Sequence, residues 1–151
     1  MEKIGYLTIE DANVFIASHF LSTSDERKEW EALSDDDKKV LLLNAFEDIE
    51  LNNFIGYKTY ENQIEQWPRN GSIEIPADIK AAQIYEALEI GFGDNSSYEA
   101  IEKGIKSETI NKLSTSYFGN AFYSFNNSQV KSTKARKLLN RYIKVVFDVV
   151  W

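Results

Sequence analysis

The sequence predicts a mainly α-helical protein: a small bundle of four to five helices with a β-hairpin insertion and an extended C-terminal arm. Apolar residues recur at helical spacing in several segments, and a Ser, Thr or Pro precedes each of them. A length of 151 residues fits one domain. Within it we expect a helical core at residues 1–93, a hairpin and loop arm at 94–130, and a C-terminal helix and tail at 131–151.

The first helix begins with a capping box, because Thr8 and Asp11 are spaced so that each side chain reaches the other's backbone N–H. Its apolar face comprises Ala12, Phe15, Ile16 and Phe20. A short second helix is expected around residues 25–33, with Trp30 and Leu33 turned inward.

The third helix is the most apolar one, and Ser34 is its predicted N-cap. We expect its core residues to be Val40, Leu41, Leu43, Ala45, Phe46, Ile49 and Phe54, with Gly56 ending the helix. The acidic run 35–37 could be a metal site, but carboxylates in a first helical turn favour a helix start. A calcium loop would need alternating oxygen ligands, a glycine and a distal glutamate, which do not follow in register.

Residues 57–75 form a long connection in which Asn70-Gly71 predicts a turn. Pro76 fits the first position of the next helix, which Gly91 and Gly93 close. The predicted buried residues of that helix are Ile79, Ala82, Tyr85, Ala87 and Leu88.

The Ser- and Thr-rich segment 105–117 predicts the β-hairpin, and residues 118–127 predict a loop or arm. The last helix begins near Ser132 or Thr133. Its inward residues are expected to be Ala135, Leu138, Leu139, Tyr142 and Ile143. The apolar tail, residues 145–151, fits either a strand added to a neighbouring sheet edge or a helix that continues into the core.

Charge is unevenly distributed along the chain. Residues 1–60 carry 6 basic and 13 acidic residues, residues 61–100 carry 2 and 8, and residues 101–151 carry 9 and 3. The acidic body would repel phosphate, which disfavours DNA binding there. The basic C-terminal third and the acidic remainder could instead meet across a subunit interface.

No feature of the sequence indicates catalysis or a cofactor. The chain has no cysteine and one histidine, His19, which we interpret as an ordinary surface or boundary residue. Gly91-Phe92-Gly93 lacks the third glycine of a dinucleotide loop. No apolar run reaches the roughly 18 residues of a membrane span. Tyr117, Phe118, Tyr123 and Phe125 could stack on the bases of single-stranded DNA, with the phosphates on the basic last helix. Alternatively, these aromatic side chains pack in a core or between subunits, which is favoured because the acidic body offers no continuous basic groove.

A succession of short motifs carries a family resemblance: Tyr6-Leu7-Thr8, Gly56-Tyr57-Lys58, Gln63, Trp67-Pro68-Arg69, Ile75-Pro76, Gly104–Glu108 and Leu138-Leu139. This succession resembles the head–tail connector (adaptor) proteins of tailed bacteriophages, some of which are labelled DnaT-like single-stranded-DNA-binding proteins. The resemblance covers most of the chain.

The resemblance implies a structural virion protein of the neck, assembled in the bacterial host cytoplasm, without catalytic residues, cofactor or membrane contact. Such proteins form a ring, typically a dodecamer, below the portal protein. The ring extends the channel for packaged double-stranded DNA and docks the next neck or tail completion protein. The alternative function is a single-stranded-DNA-binding replication accessory.

Three groups of residues take roles by this resemblance. A structural brace would comprise Gln63, Trp67, Pro68 and Arg69, with Arg69 paired bidentately to a carboxylate. The ring-contact hairpin would comprise Ile105, Lys106, Ser107, Glu108, Leu113 and Tyr117. The portal contact would comprise Lys134, Arg136, Lys137, Arg141, Lys144, Phe147 and Trp151.

Overall fold

The computed structural model describes residues 2–93 and 129–144, and within them the fold is mainly helical, as predicted. A two-stranded antiparallel hairpin precedes five helices in the described residues. The elements are β1 (Lys3–Ile4), β2 (Leu7–Thr8), α1 (Ile9–His19), α2 (Asp25–Ala32), α3 (Asp35–Glu50), α4 (Ala77–Phe92) and α5 (Thr133–Leu139). The hairpin predicted at residues 105–117, the arm and the tail after residue 144 lie outside the described residues.

The N-terminal hairpin was not predicted. Lys3 pairs with Thr8 and Ile4 with Leu7, so only two residues form the loop. Gly5 adopts φ +69°, which the first central residue of such a tight hairpin favours. A Cβ on Gly5 would lie 2.5 Å from Cδ1 of Phe46, so the glycine also lets the hairpin pack closely on α3. Strands this short carry too little alternation to be recognised from sequence.

The predicted N-caps are confirmed. The Thr8 hydroxyl accepts from the Asp11 N–H at 3.1 Å, and the Asp11 carboxylate accepts from the Thr8 N–H at 3.0 Å. Ser34 caps α3 by accepting from the Asp37 N–H at 3.2 Å, and Ser132 caps α5. The acidic first turn of α3 is therefore a helix start.

One stripe of α3 faces the core, and it differs from the predicted set. The buried residues are Lys38, Leu42, Ala45 and Ile49, which follow one another at intervals of four, three and four residues. Val40 and Leu43 were wrongly predicted to be core, since they lie off this stripe and are 55% and 45% exposed. The helix ends at Glu50, with Leu51 as its C-cap, well before Gly56.

The helix α4 is the central element, packed against both α3 and α5. Burial of its apolar residues is as predicted, except that Tyr85 is half-buried and Ile84 is buried in addition. Pro76 was predicted to be the first residue of the helix, but it is the N-cap, with φ −56° and ψ 144°. The helix therefore begins one residue later, at Ala77. Gly93 is the C-cap.

Two polar side chains of α4, Gln83 and Glu86, are completely buried. The Gln83 amide oxygen accepts from the Tyr6 N–H at 3.1 Å, and its NH₂ group donates to the carbonyls of Ile4 at 2.8 Å and Leu42 at 2.9 Å. Because a buried amide without partners is costly, these three bonds fix the hairpin and α3 to α4.

The last helix, α5, buries Ala135 and Leu139, and Ile143 is buried beyond its end. After Leu139 the chain turns and runs antiparallel to the segment that follows α3. The Ile55 N–H donates to the Tyr142 carbonyl at 2.8 Å, and the Lys144 N–H donates to the Asn53 carbonyl at 2.8 Å. The last helix was predicted to include Tyr142, Ile143 and Lys144, but it ends at Leu139. Both alternatives for the tail concern residues 145–151, which lie outside the described residues. Among the described residues no helix combines the length and apolarity that a membrane span requires.

Candidate nucleic-acid interface

Arg69 lies in the middle of the connection between α3 and α4 and is 7% exposed. All five of its N–H donors are used. They reach the carbonyls of Phe54, Ile55, Gly56 and Gln66 and the Gln66 side-chain oxygen, at 2.8–3.2 Å. The predicted bidentate pair with a carboxylate is wrong, because four backbone carbonyls and one side-chain amide oxygen of the connection occupy all five donors.

The other residues predicted for the brace lie beside Arg69. Trp67 is buried, its bond to Pro68 is cis, and its ring makes edge contacts with Phe54 and Tyr142 at 5.3 Å between centroids. The Gln63 amide donates to the Pro68 carbonyl at 2.8 Å. The structure thus brings the four predicted residues together, and Trp67 among them contacts the segments that follow α3 and α5.

The predicted Asn70-Gly71 turn is confirmed. Both residues have positive φ, +60° and +80°, as the central pair of a type I′ turn requires. The Asn70 N–H donates to the Tyr57 carbonyl at 2.8 Å, and the Tyr57 N–H donates to the Asn70 side chain at 3.2 Å. These bonds join the part of the connection around Tyr57 to the part around Asn70.

Glu50, the last residue of α3, also binds the connection. Its carboxylate accepts from the Tyr6 hydroxyl at 2.6 Å and from the Gln66 N–H at 3.0 Å. Burial raises the pKa of Glu50, and burial together with the Glu50 carboxylate raises the pKa of Tyr6.

The basic residues predicted for a portal contact lie on and after α5. Residues 129–144 carry six basic and no acidic residues, whereas residues 2–93 carry 8 basic and 19 acidic residues. Lys134 and Lys137 are exposed on α5. Arg141 lies 3.5 Å from the Asp78 carboxylate, and Arg136 donates to the Val130 carbonyl at 3.3 Å. Phe147, Trp151 and the six predicted ring-contact residues lie outside the described residues.

The buried carboxyl group of Glu86 anchors the start of this basic segment. It accepts from the N–H groups of Lys131 and Ser132 at 2.8–2.9 Å. Burial and a hydrogen bond with Asp48 raise the pKa of Glu86 to about 8, although the backbone donors act in the opposite direction. The Asn52 side chain accepts from the Gln129 N–H at 2.9 Å, so α3 and α4 both hold the segment.

A half-open cleft of about 320 Å³ lies beside α5. Phe20, Tyr85 and Phe92 contribute aromatic walls, and the Lys134 ammonium lies 5.0 Å from the centre of the Tyr85 ring. His19 lies at its edge, stacked on Phe15 at 3.8 Å between centroids. Aromatic faces beside a cation can receive a planar base next to its phosphate.

The sequence did not indicate this cleft. The residues predicted to stack on bases were Tyr117, Phe118, Tyr123 and Phe125, which lie outside the described residues. The cleft residues come from the end of α1, the start of α2, the second half of α4 and the start of α5, so nothing in their spacing indicates that they meet. Two carboxylates, Glu26 and Glu89, also line the cleft and oppose an anionic ligand.

Within residues 2–93 and 129–144, no group of three or more acidic or histidine side chains is arranged to hold a metal ion. This includes the acidic first turn of α3, whose side chains are exposed.

No curated protein matches this chain, and no solved structure does. A protein family described as "Putative DnaT-like ssDNA binding protein" matches residues 5–149. That match covers nearly the whole sequence, so the chain belongs to the DnaT-like single-stranded-DNA-binding protein family.

Proposed function

We propose that this protein binds single-stranded DNA without catalysing a reaction on it. A base would stack in the cleft between Phe20, Tyr85 and Phe92, and the flanking phosphates would contact Lys134 and Lys137. The single observation that carries the proposal is that the aromatic cleft and the basic helix α5 adjoin and share Lys134. The family description supports it.

The charges of the molecule set how strong this binding can be. Residues 2–93 are acidic in excess, and Glu26 and Glu89 lie at the cleft itself. Attraction is therefore confined to the α5 side, where Lys134 and Lys137 can each contact one phosphate. Neutralising two phosphates of a single strand gives a log–log salt slope of about −1.4. We expect measurable binding at low salt. We expect this binding to be lost at ionic strengths below the physiological value.

Fluorescence anisotropy with a labelled oligothymidine at low and moderate salt tests the proposal. The double variant Lys134→Gln/Lys137→Gln should weaken binding and flatten the salt slope, because it removes the phosphate contacts. Lys39→Gln, a lysine of α3 on the acidic body, is the matched control. Glu89→Gln should strengthen binding, since it removes a repulsive charge from the cleft. Equal losses in the control and the double variant, or no binding at low salt, would refute the proposal.

A second candidate function is the head–tail connector, and the separation of charge favours it. A ring interface joins two different faces of neighbouring subunits, and an acidic body with a basic C-terminal segment supplies two complementary faces. The connection and the end of α3 also expose apolar side chains, which are common at protein interfaces. These are Leu51, Ile55, Tyr57, Tyr60, Ile64 and Ile73, each at least 52% exposed.

Assembly with a portal protein tests this second candidate. The chain would be co-expressed with the portal protein encoded in the same genome, and the particles would be imaged by electron cryo-microscopy. A ring of this chain below the portal is expected. Ile64→Glu should prevent ring formation and leave oligonucleotide binding unchanged, whereas the α5 double variant tests the basic face. Portal particles that lack this chain would exclude the connector.

A further inference from the structure

A second cavity, of about 360 Å³, lies between α1, α2 and the first turn of α3, and it shares no lining residue with the aromatic cleft described above. Val14, Ile16 and Ala17 form an apolar wall, and Trp30, Lys38 and Arg27 line the remainder together with Glu31. The proposed function does not use this cavity.

Lys38 is the unusual residue of this cavity, since it is a lysine that is 7% exposed. Its ammonium donates to the Asn13 side-chain oxygen at 3.2 Å and lies 5.5 Å from the centre of the Trp30 ring. The same Asn13 oxygen already accepts from the Trp30 indole N–H at 2.8 Å. Within the described part of the chain no carboxylate forms an ion pair with Lys38. A buried ammonium without a counter-ion is costly, so an anion entering the cavity would be stabilised.

The charge of the cavity indicates which anion fits. Arg27 contributes a second cation, but its Nε donates to the Glu31 carboxylate at 3.1 Å, which offsets it. With Lys38, Arg27 and Glu31 together the net charge is +1, which matches a monoanion better than a phosphate dianion. The apolar wall fits an aliphatic body next to the charged head.

We infer that this cavity binds a small carboxylate with a short aliphatic body, whose carboxylate pairs with Lys38 and whose carbons pack on Val14 and Ile16. Asn13 holds both the Lys38 ammonium and the Trp30 indole in place, so the site exists before the ligand arrives. The indole N–H of Trp30 reports on occupancy, because it shares its acceptor with the ammonium that the ligand contacts.

Titration of the full chain with butyrate tests the inference. The indole N–H resonance of Trp30 would be followed by two-dimensional ¹H–¹⁵N NMR spectroscopy. A ligand of so few atoms is expected to bind with a Kd on the order of 1 mM. Butyramide, the neutral analogue, and inorganic phosphate at matched ionic strength should each bind at least tenfold more weakly.

The matched variants are Lys38→Met, which keeps the aliphatic stem, and Lys39→Met, which removes the neighbouring exposed lysine. Lys38→Met should weaken butyrate binding at least tenfold, and Lys39→Met should leave it unchanged. Ala17→Glu places a carboxylate at the exposed rim and should block butyrate while Lys38 remains, which provides a test even if Lys38→Met unfolds. The inference is overturned if the Trp30 resonance shows no saturable shift, if phosphate binds better than butyrate, or if Ala17→Glu binds butyrate normally.

Discussion

The buried carboxyl group of Glu86 makes stability depend on pH in a direction that can be worked out. Burial and the neighbouring Asp48 raise its pKa to about 8 from the ordinary value of 4.5. Between these two pH values the folded protein still holds a proton on Glu86 that the unfolded chain has already released. Its contribution to stability is thus fully present below about pH 4.5 and is lost as the pH rises through about 8.

The expected slope follows from this one proton. The free energy of unfolding falls by about 1.4 kcal/mol per pH unit between the two pKa values, so the total change is a few kcal/mol. Glu86→Gln mimics the protonated acid: its oxygen can still accept from the N–H groups of Lys131 and Ser132, and its NH₂ can donate to Asp48. The variant should therefore lose this slope and be the more stable protein at pH 9.

Urea denaturation from pH 4.5 to pH 9, followed by circular dichroism, measures both proteins. Glu89→Gln, which removes a charge one turn along α4 at the open cleft, is the control and should keep the slope. A wild-type protein whose stability rises with pH over this range, or equal slopes in wild type and Glu86→Gln, would show that the carboxyl group is ionised when buried.

Three further substitutions test the hydrogen bonds and close contacts of the fold by the same denaturation measurement. Arg69→Met should cost about 3 kcal/mol or more, because it orphans buried carbonyls, whereas Lys58→Met in the same connection should cost less than about 1 kcal/mol. Gly5→Ala should destabilise more than Gly71→Ala: both have positive φ, but only at Gly5 does a Cβ meet a neighbour, Phe46. Thr8→Ala should cost about 1 kcal/mol through loss of the α1 cap. Equal effects within either pair would contradict the reasoning.

The helix starts were predictable from the sequence because they depend on local chemistry. A hydroxyl or carboxylate three residues before an N–H identifies a cap without knowledge of the remaining fold, as at Thr8 and Ser34. The Asn70-Gly71 turn belongs to the same class, because few residue pairs tolerate two successive positive φ angles.

The burial of α3 and the contacts of Arg69 were not predictable in this way. An apolar helix offers several possible stripes, and only its packing against the other helices selects the one with Lys38 and Leu42 and leaves Val40 exposed. Arg69 was expected to seek a carboxylate, but the connection turns its own carbonyls inward. The aromatic cleft similarly depends on four helices, α1, α2, α4 and α5, that meet only in the folded chain.

The carbonyl oxygens around Arg69 resemble the coordination sphere of a metal ion, except that the cation is part of the chain. A calcium loop loses its order when a chelator removes the ion. This connection has no dissociable centre, so its order does not depend on the ionic composition of the surroundings. The hydrogen bonds of Arg69 should therefore be lost only when Arg69 is substituted or the chain unfolds. The connection should keep its structure in a chelator that unfolds metal-binding loops of similar length.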